Sequence, residues 1–363
     1  MILKLTAFIG VSACVAALIV TPLIRAAAIK HGFVDQPGER KIHQESIAYG
    51  GGFVIALAML AAMLLGIFIE ETWLKLTDNR DDIQTRSLYA IAIGATGALL
   101  LGWADDRFKL RPSYKLVGQL VLAICAVAHG VRITALIGDN LLMQTVTVCW
   151  IVLITNSFNL LDNMDGLCTG VVAIAAAMLG ILALDGGQWR LALALAALAG
   201  ACTGFLKYNY SPASIFLGDA GSLFMGYLMA CFTVLTTYYR YRQPSHLAIG
   251  IPILILAIPL YDTLSVIFIR LKERRPIMLG DTSHFSHRLT DLGMTRRQAV
   301  ATIHLACLAI GLPAIVLGQL SEAMGLLIVA QAILVLTIIA LLERAGRNRV
   351  RLERERSGGT RKP

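Results

Sequence analysis

Two adjacent carboxylates, Asp105 and Asp106, are followed directly by Arg107 and, two residues later, by Lys109. Hard oxygen donors bind divalent metal and cations hold phosphate oxygens, so this cluster suits metal and phosphate chemistry together. Its other reading is an interfacial charge cluster that stops a helix. A second group, Asn156 to Leu167, carries Asn156, Asn159, Asp162, Asn163 and Asp165 without one Lys or Arg. Asn159, Asp162 and Asp165 follow one another at intervals of three, and a helical turn would set them on one face. A third, Asn209-Tyr210-Ser211-Pro212 and then Phe216-Leu217-Gly218-Asp219-Ala220-Gly221-Ser222, places one acid between glycines at an expected helix start. Asp219 there is either an N-cap or a carboxylate free to reach a metal, beside a helix N-terminus that favours anions.

Two basic loops complete the set. Asp35 to His43 contains a Pro-Gly turn with Arg40, Lys41 and His43, followed by Gly50-Gly51-Gly52, a composition that can hold a phosphate or form a simple loop. Asp281 to Arg288 carries His284, His287 and Arg288, either surface residues or a grip for a pyrophosphate. Asp262 adds an ionisable group inside an apolar run, in a hydrogen-bonded or a catalytic role.

These residues need positioning, and the rest of the chain shows how. Hydrophobic residues make up 57% of its 363 positions and charged ones only 15%, which places it among membrane proteins. Apolar runs of roughly 16 to 23 residues recur along the whole length, enough to cross hydrocarbon as helices. The expected spans are Ile2–Leu23, Gly51–Ile69, Ser87–Trp103, Leu116–Val131, Met143–Phe158 and Leu167–Leu184, then Leu191–Leu206, Gly221–Tyr238, Leu247–Ile269, Ala299–Leu320 and Ala323–Leu342. The runs are continuous rather than alternating, so the expected fold is all-α: a polytopic membrane bundle of about eleven helices. Residues 1–343 read as one membrane domain and 344–363 as a basic tail. The first run lacks a small-residue cleavage site and reads as a retained span. The seven cysteines sit in or beside apolar runs with no Cys-x-x-Cys pair, which implies neither a disulfide framework nor a zinc site.

On this topology 24 of the 32 Lys and Arg residues fall on one side. Positive-inside bias then puts the N-terminus outside and the C-terminus in the cytoplasm. That bias also accounts for the net charge of +9 without a nucleic-acid partner. All five polar groups fall on the same, cytoplasmic side. Together they describe a site for a phosphorylated ligand and a metal at a bilayer face, with one water-soluble and one lipid substrate.

The motifs resemble those of the polyprenyl-phosphate N-acetylhexosamine-1-phosphate transferases, a family that includes the bacterial phospho-N-acetylmuramoyl-pentapeptide translocase. The resemblance rests on Asp-x-Pro-x-x-Arg-Lys-x-His at Asp35 to His43, the pair Asp105-Asp106, and Asn-x-x-Asn-x-x-Asp-x-x-Asp-Gly at Asn156 to Gly166. Gly-Asp-x-Gly-Ser at Gly218 to Ser222 and the loop His284 to Arg288 complete it. The first loop and the His-x-x-His-Arg form are similar to the branch that uses UDP-N-acetylglucosamine. Ser286 stands where a His is usual in that branch, and Asn163 where a Gly is.

The resemblance implies transfer of a hexosamine 1-phosphate from a UDP-sugar to a polyprenyl phosphate, with release of UMP, at the inner membrane of a bacterium. It implies Mg²⁺, with Mn²⁺ as a substitute, held by Asp219 and Asn159. Asp105 would orient the lipid phosphate, Asp106 would support metal or water, and Asp162, Asp165, Asn209 and Phe216 would surround the uridine end. Arg40, Lys41, His43, His284, His287 and Arg288 would hold phosphates, and a homodimer follows by analogy. A secondary transporter is the competing reading, although transporters commonly bind near the midplane, between repeats. A CDP-alcohol phosphotransferase would need an Asp-Gly-x-x-Ala-Arg run, and Asp165-Gly166 leads instead into Leu167-Cys168-Thr169-Gly170.

Overall fold

The computed structural model describes residues 1–35, 46–70, 83–133, 140–236, 246–276 and 284–356, the stretches 83–85 and 345–356 by backbone alone. The chain forms two compact units, Met1–Pro244 and Ser245–Pro363.

The first unit holds α1 (Ile2–Lys30), α2 (Gly51–Ile69), α3 (Ile83–Phe108), α4 (Pro112–Ala128), α5 (Leu141–Leu161), α6 (Leu167–Asp185), α7 (Trp189–Asn209) and α8 (Gly218–Leu235). Its centre is α8, which packs on α2, α3, α5 and α6. Every residue of α8 from Gly218 to Thr233 is buried except Asp219, although α8 is less apolar than the lipid-facing spans, so it is packing by its neighbours that encloses it. Small residues let the neighbours approach closely. A Cβ on Gly52 would collide with the backbone of Gly221, and one on Gly102 with the backbone of Asp219 and Ala220. The close approach of α3 to the start of α8 therefore depends on Gly102.

Three short strands modify the all-α expectation: β1 (Val34–Asp35), β2 (Ile47–Tyr49) and β3 (Ile215–Phe216). β2 pairs antiparallel with β1, Val34 opposite Ala48, and parallel with β3, Ala48 opposite Ile215 and Tyr49 opposite Phe216. Strands of two or three residues leave no periodicity to read.

The second unit holds α9 (Ile251–Ile255), α10 (Ala257–Lys272), α11 (Phe285–Asp291), α12 (Arg296–Ile315) and α13 (Glu322–Arg356). The continuous span expected over Leu247–Ile269 is broken: α9 and α10 meet at 73° across Leu256. Pro259 supplies the reason, since it has no N–H for the carbonyl of Ile255 and its ring crowds that carbonyl. α12 opens with a capping box in which Thr295 and Gln298 exchange hydrogen bonds. α13 stays helical to Arg356, into the stretch read as a tail.

Among the described residues nine helices are long and apolar enough to cross a membrane, or ten if α9 and α10 form one bent span. α4, an apolar helix of 17 residues, occupies the place of the remaining expected span. This is a polytopic helical membrane protein. Two boundaries bear on the site. α3 runs on to Phe108 instead of ending near Trp103, and α5 runs to Leu161, so Asp105, Asp106 and Asn159 all lie inside final helical turns.

Candidate active site

The site grows from four helix ends: the last turns of α3 and α5 and the first turns of α4 and α8. Lys115, in the first turn of α4, extends its ammonium into the space between them. It donates to Asp219 Oδ2 at 2.7 Å, Asp105 Oδ2 at 2.8 Å and Asn159 Oδ1 at 2.9 Å. Asn159 in turn donates from Nδ2 to Asp219 Oδ1 at 2.8 Å and to Ser222 Oγ at 2.9 Å. Hydrogen bonds to ionised groups are roughly twice as strong as neutral ones, and this cluster joins α3, α4, α5 and α8 through one cation.

Successive residues on a helix project about 100° apart, so Asp105 and Asp106 point in different directions. Asp105 turns towards Lys115, and its other oxygen accepts from Leu110 N at 2.9 Å. Asp106 turns towards α8 and accepts from Asp219 N at 2.9 Å and Ala220 N at 3.0 Å. Those donors are orphan N–H groups of the helix start, where an anion is favoured. The capping reading of Asp219 is thereby overturned. The N-cap position belongs to Leu217, Asp106 from α3 satisfies the backbone, and the Asp219 carboxylate is left to side-chain work. Gly218 has φ +74°, and a Cβ there would come within 2.7 Å of Asp106 Oδ2. Glycine thus serves both the turn and the cap.

The 162–165 turn departs from the expected shared helical face. α5 ends at Leu161, and Gly166 adopts a left-handed conformation before α6. Asp162, half-buried, has no hydrogen-bond partner among the described residues. Burial first, and then the charges of Asp219, Asp106 and Asp165, push its carboxyl well above the usual range. Asp165 points to the loop before β3 and accepts from Ala213 N at 3.1 Å. Asn209 is buried and engaged on both ends of its amide. Its oxygen accepts from Gly166 N and Thr169 Oγ1, and its nitrogen donates to Ile215 O. Asn209 and Asp165 therefore tie the two polar loops together. Phe216 in β3 lies 6.0 Å from the Tyr49 ring, tilted against it.

Two participants were not picked out from the sequence. Lys115 looked like one more topogenic cation. Its signal was Gln119, four residues on along an apolar helix, which marks a polar stripe; Gln119 pairs with Asn156 across α4 and α5 at 3.3 Å. Tyr49 gave no local signal. Its phenol is raised above its ordinary value by burial, then by Asp35, to which it is hydrogen-bonded, and by the more distant Asp106 and Asp219.

Within the second unit, His284 Nδ1 meets Asp262 Oδ2 at 2.9 Å, and Phe285 N donates to Asp262 Oδ1 at 2.6 Å. Arg288 pairs with Glu343 at 3.1 Å and donates to Ser265 Oγ at 2.7 Å. His284, Arg288 and Asp262 are all buried, so Asp262 has a hydrogen-bonded role that pins α11 to α10. His287 is the half-exposed member of the motif, its pKa lowered by burial and then by His284 and Arg296. Arg40, Lys41 and His43 lie outside the described residues.

A fit to Mg²⁺ can be tested on the donor set. Two carboxylates and an amide oxygen converge within 2.9 Å of the Lys115 ammonium, a cation already in the position where such oxygens gather. No group of three or more His, Cys, Asp or Glu that could hold a metal occurs among the described residues. Mg²⁺ commonly takes one or two carboxylates and completes its shell with water and substrate phosphate, so Asp219 with Asn159 suits it.

Comparison with known proteins decides the family. A 333-residue stretch is 36% identical to the Bacillus subtilis "Probable undecaprenyl-phosphate N-acetylglucosaminyl 1-phosphate transferase", covering 89% of this chain and 88% of that one. Residues 88–237 match the model of glycosyl transferase family 4. The chain belongs to glycosyl transferase family 4. A "Decaprenyl-phosphate N-acetylglucosaminephosphotransferase" of Mycolicibacterium smegmatis is 29% identical over 373 residues, covering 94% of this chain and 90% of the relative. An "Undecaprenyl-phosphate alpha-N-acetylglucosaminyl 1-phosphate transferase" of Yersinia pestis is 27% identical over 297 residues, covering 78% and 76%. In this family 4 glycosyl transferase the matched stretch 88–237 contains the whole Lys115-centred cluster.

Proposed function

We propose that the chain transfers N-acetylglucosamine 1-phosphate, or a closely related hexosamine 1-phosphate, from a UDP-sugar to undecaprenyl or another polyprenyl phosphate. A lipid phosphate oxygen forms a bond to the sugar-proximal phosphorus, the diphosphate bridge breaks, and UMP leaves. The observation that carries this reading is the convergence of Asp105, Asn159 and Asp219 on Lys115, at helix ends rather than in the middle of the bundle. Transporters commonly bind near the midplane instead, and the relatives' names point to transfer.

The chain's own residues divide the work. Asp106 fixes the start of α8, so that Asp219, whose side chain is 33% exposed, faces outward from a buried helix. Asp219 and Asn159 would hold Mg²⁺, which when bound neutralises diphosphate oxygens. Lys115 keeps the acids together before substrate arrives and offers its charge to a phosphate afterwards. Asp105, held by Leu110 N, orients the lipid phosphate; positioning and charge neutralisation dominate phosphoryl transfer. Phe216 offers a ring face to the base. His287 is the residue of its loop with a ring available to a phosphate. The reading places the enzyme in a bacterial inner membrane, with its site at the cytoplasmic face and cell-envelope polysaccharide as the product's destination.

The test is transfer of radiolabelled N-acetylglucosamine 1-phosphate from its UDP-sugar into an organic-extractable lipid by the detergent-purified chain. Labelled product together with stoichiometric UMP supports the reading. Absence of product with every UDP-hexosamine and polyprenyl phosphate supplied, from protein that remains monodisperse, overturns it.

A further inference from the structure

The second unit contains a cavity of about 1350 Å³ between the α9–α10 wall and α13. Drug-sized ligand pockets span roughly 300–1,000 Å³, so this groove is on the scale of something larger. Its walls are apolar and face outward: Leu264 and Phe268 on α10 and Ile333 on α13 line it and are more than half exposed. Its α9–α10 wall is bent, α10 leaving the line of α9 by 73°.

Charge distinguishes this groove from an ordinary lipid-facing surface. Two carboxylates line it, and both have cationic partners: Glu343 pairs with Arg288 at 3.1 Å and Glu273 with Arg275 at 3.0 Å. Two cations line it as well, Lys272 from α10 and Arg344 from α13, and neither has an acidic partner among the described residues. Counting the described residues, the groove with its ion-pair partners carries an excess of positive charge, one cation on each wall. Each cation stands where an apolar span ends, Lys272 closing α10 and Arg344 closing the apolar part of α13. Basic side chains at that level, between membrane helices, recognise anionic headgroups, and their stems can lie along hydrocarbon.

We propose that this groove is a binding site for one anionic phospholipid, with acyl chains against Leu264, Phe268 and Ile333 and the phosphate drawn by Lys272 and Arg344. The groove is built wholly from residues of Ser245–Pro363 and does not depend on the transferase reading. Its lipid is a resident of the bilayer, not a substrate.

The test uses the full-length chain purified in mild detergent and delipidated, titrated with phosphatidylglycerol or phosphatidylcholine and read by native mass spectrometry. One phosphatidylglycerol per chain is expected at concentrations where phosphatidylcholine does not bind. Lys272→Gln with Arg344→Gln should weaken that binding about tenfold or more, while Lys30→Gln, on α1, leaves it unchanged. Ile333→Trp, which fills the groove, should abolish it. Size-exclusion profiles and circular dichroism identify any variant that fails to fold, and the exposed Gln variants retain the test if the Trp variant does fail. Equal binding of the two lipids, or an unaffected Gln double variant, overturns the proposal. So does occupation of the groove by a second copy of the chain, or a preference for polyprenyl phosphate over phosphatidylglycerol.

Discussion

The two units contain the same kinds of side chain arranged to opposite effect. In Met1–Pro244 one lysine serves three oxygen donors, and the Asp219 side chain at their centre is 33% exposed. In Ser245–Pro363 Asp262 is 1% exposed, with His284 and the Phe285 N–H as its partners. A shared, partly open cation can be exchanged for a ligand at modest cost, because water and substrate replace its contacts. A buried hydrogen-bonded group cannot, because separating it leaves polar atoms without partners in a low-dielectric interior. Acids and histidines that look equally chemical in sequence thus divide into an exchangeable cluster and a clamp.

The comparison is most severely tested at the clamp. Asp262→Ala removes a buried acceptor from two donors and should cost about 1–3 kcal/mol of stability for each group left unpaired, read as a lowered thermal midpoint in detergent. A midpoint close to wild type would break the distinction. Asp219→Asn should show the reverse pattern: product formation falling about 10²–10³-fold, with the thermal midpoint nearly unchanged because the Asp106 cap binds its backbone. Lys115→Met should tighten Mn²⁺ binding about tenfold, followed by electron paramagnetic resonance, if ammonium and metal share the same oxygens. Unchanged or weaker binding would place the metal elsewhere.

The subtler contrasts concern support. Asp106→Ala removes an acceptor from the first turn of α8 and should cost about 0.5–2 kcal/mol, the range for a lost helix cap, together with a fall in kcat larger than any change in KM. The smallest effect is expected at Asp162. Its carboxyl titrates above the ordinary 3.8 through burial and neighbouring acids, so the folded state holds a proton that the unfolded state has lost. Stability from this group is fully present below 3.8 and declines as pH rises through the folded value. Asp162→Asn should therefore raise the thermal midpoint near neutral pH, and the difference should shrink as pH falls towards 4. A pH-independent difference would remove the electrostatic account.

Much of this was legible before any coordinates. Continuous apolar runs marked the spans, since lipid leaves the backbone no alternative to helix, and Asp105, Asn159 and Asp219 stood out because carboxylates and amides are costly there. The errors are local and have causes. The Asn159–Asp162–Asp165 spacing suggested one helical face, but α5 stops at Leu161 and the left-handed Gly166 turns the chain. Span nine read as continuous because composition does not register what Pro259 does to the carbonyl of Ile255. β1, β2 and β3 are too short to show a period.

What the amino-acid order determined by itself was the class of the molecule, the approximate places of its long apolar helices, and the residue types able to bind phosphate and metal. Those follow from transfer energies and local spacing, which are properties of short segments. Only the tertiary structure decided how the groups were paired. It turned Asp106 to the start of α8, gave Lys115 to Asp105, Asn159 and Asp219 together, and enclosed Asp262 with His284. Partners 104 residues apart along the chain, as Lys115 and Asp219 are, meet only because glycine-lined helix contacts bring α3, α4, α5 and α8 to a common end, and no local pattern encodes that approach.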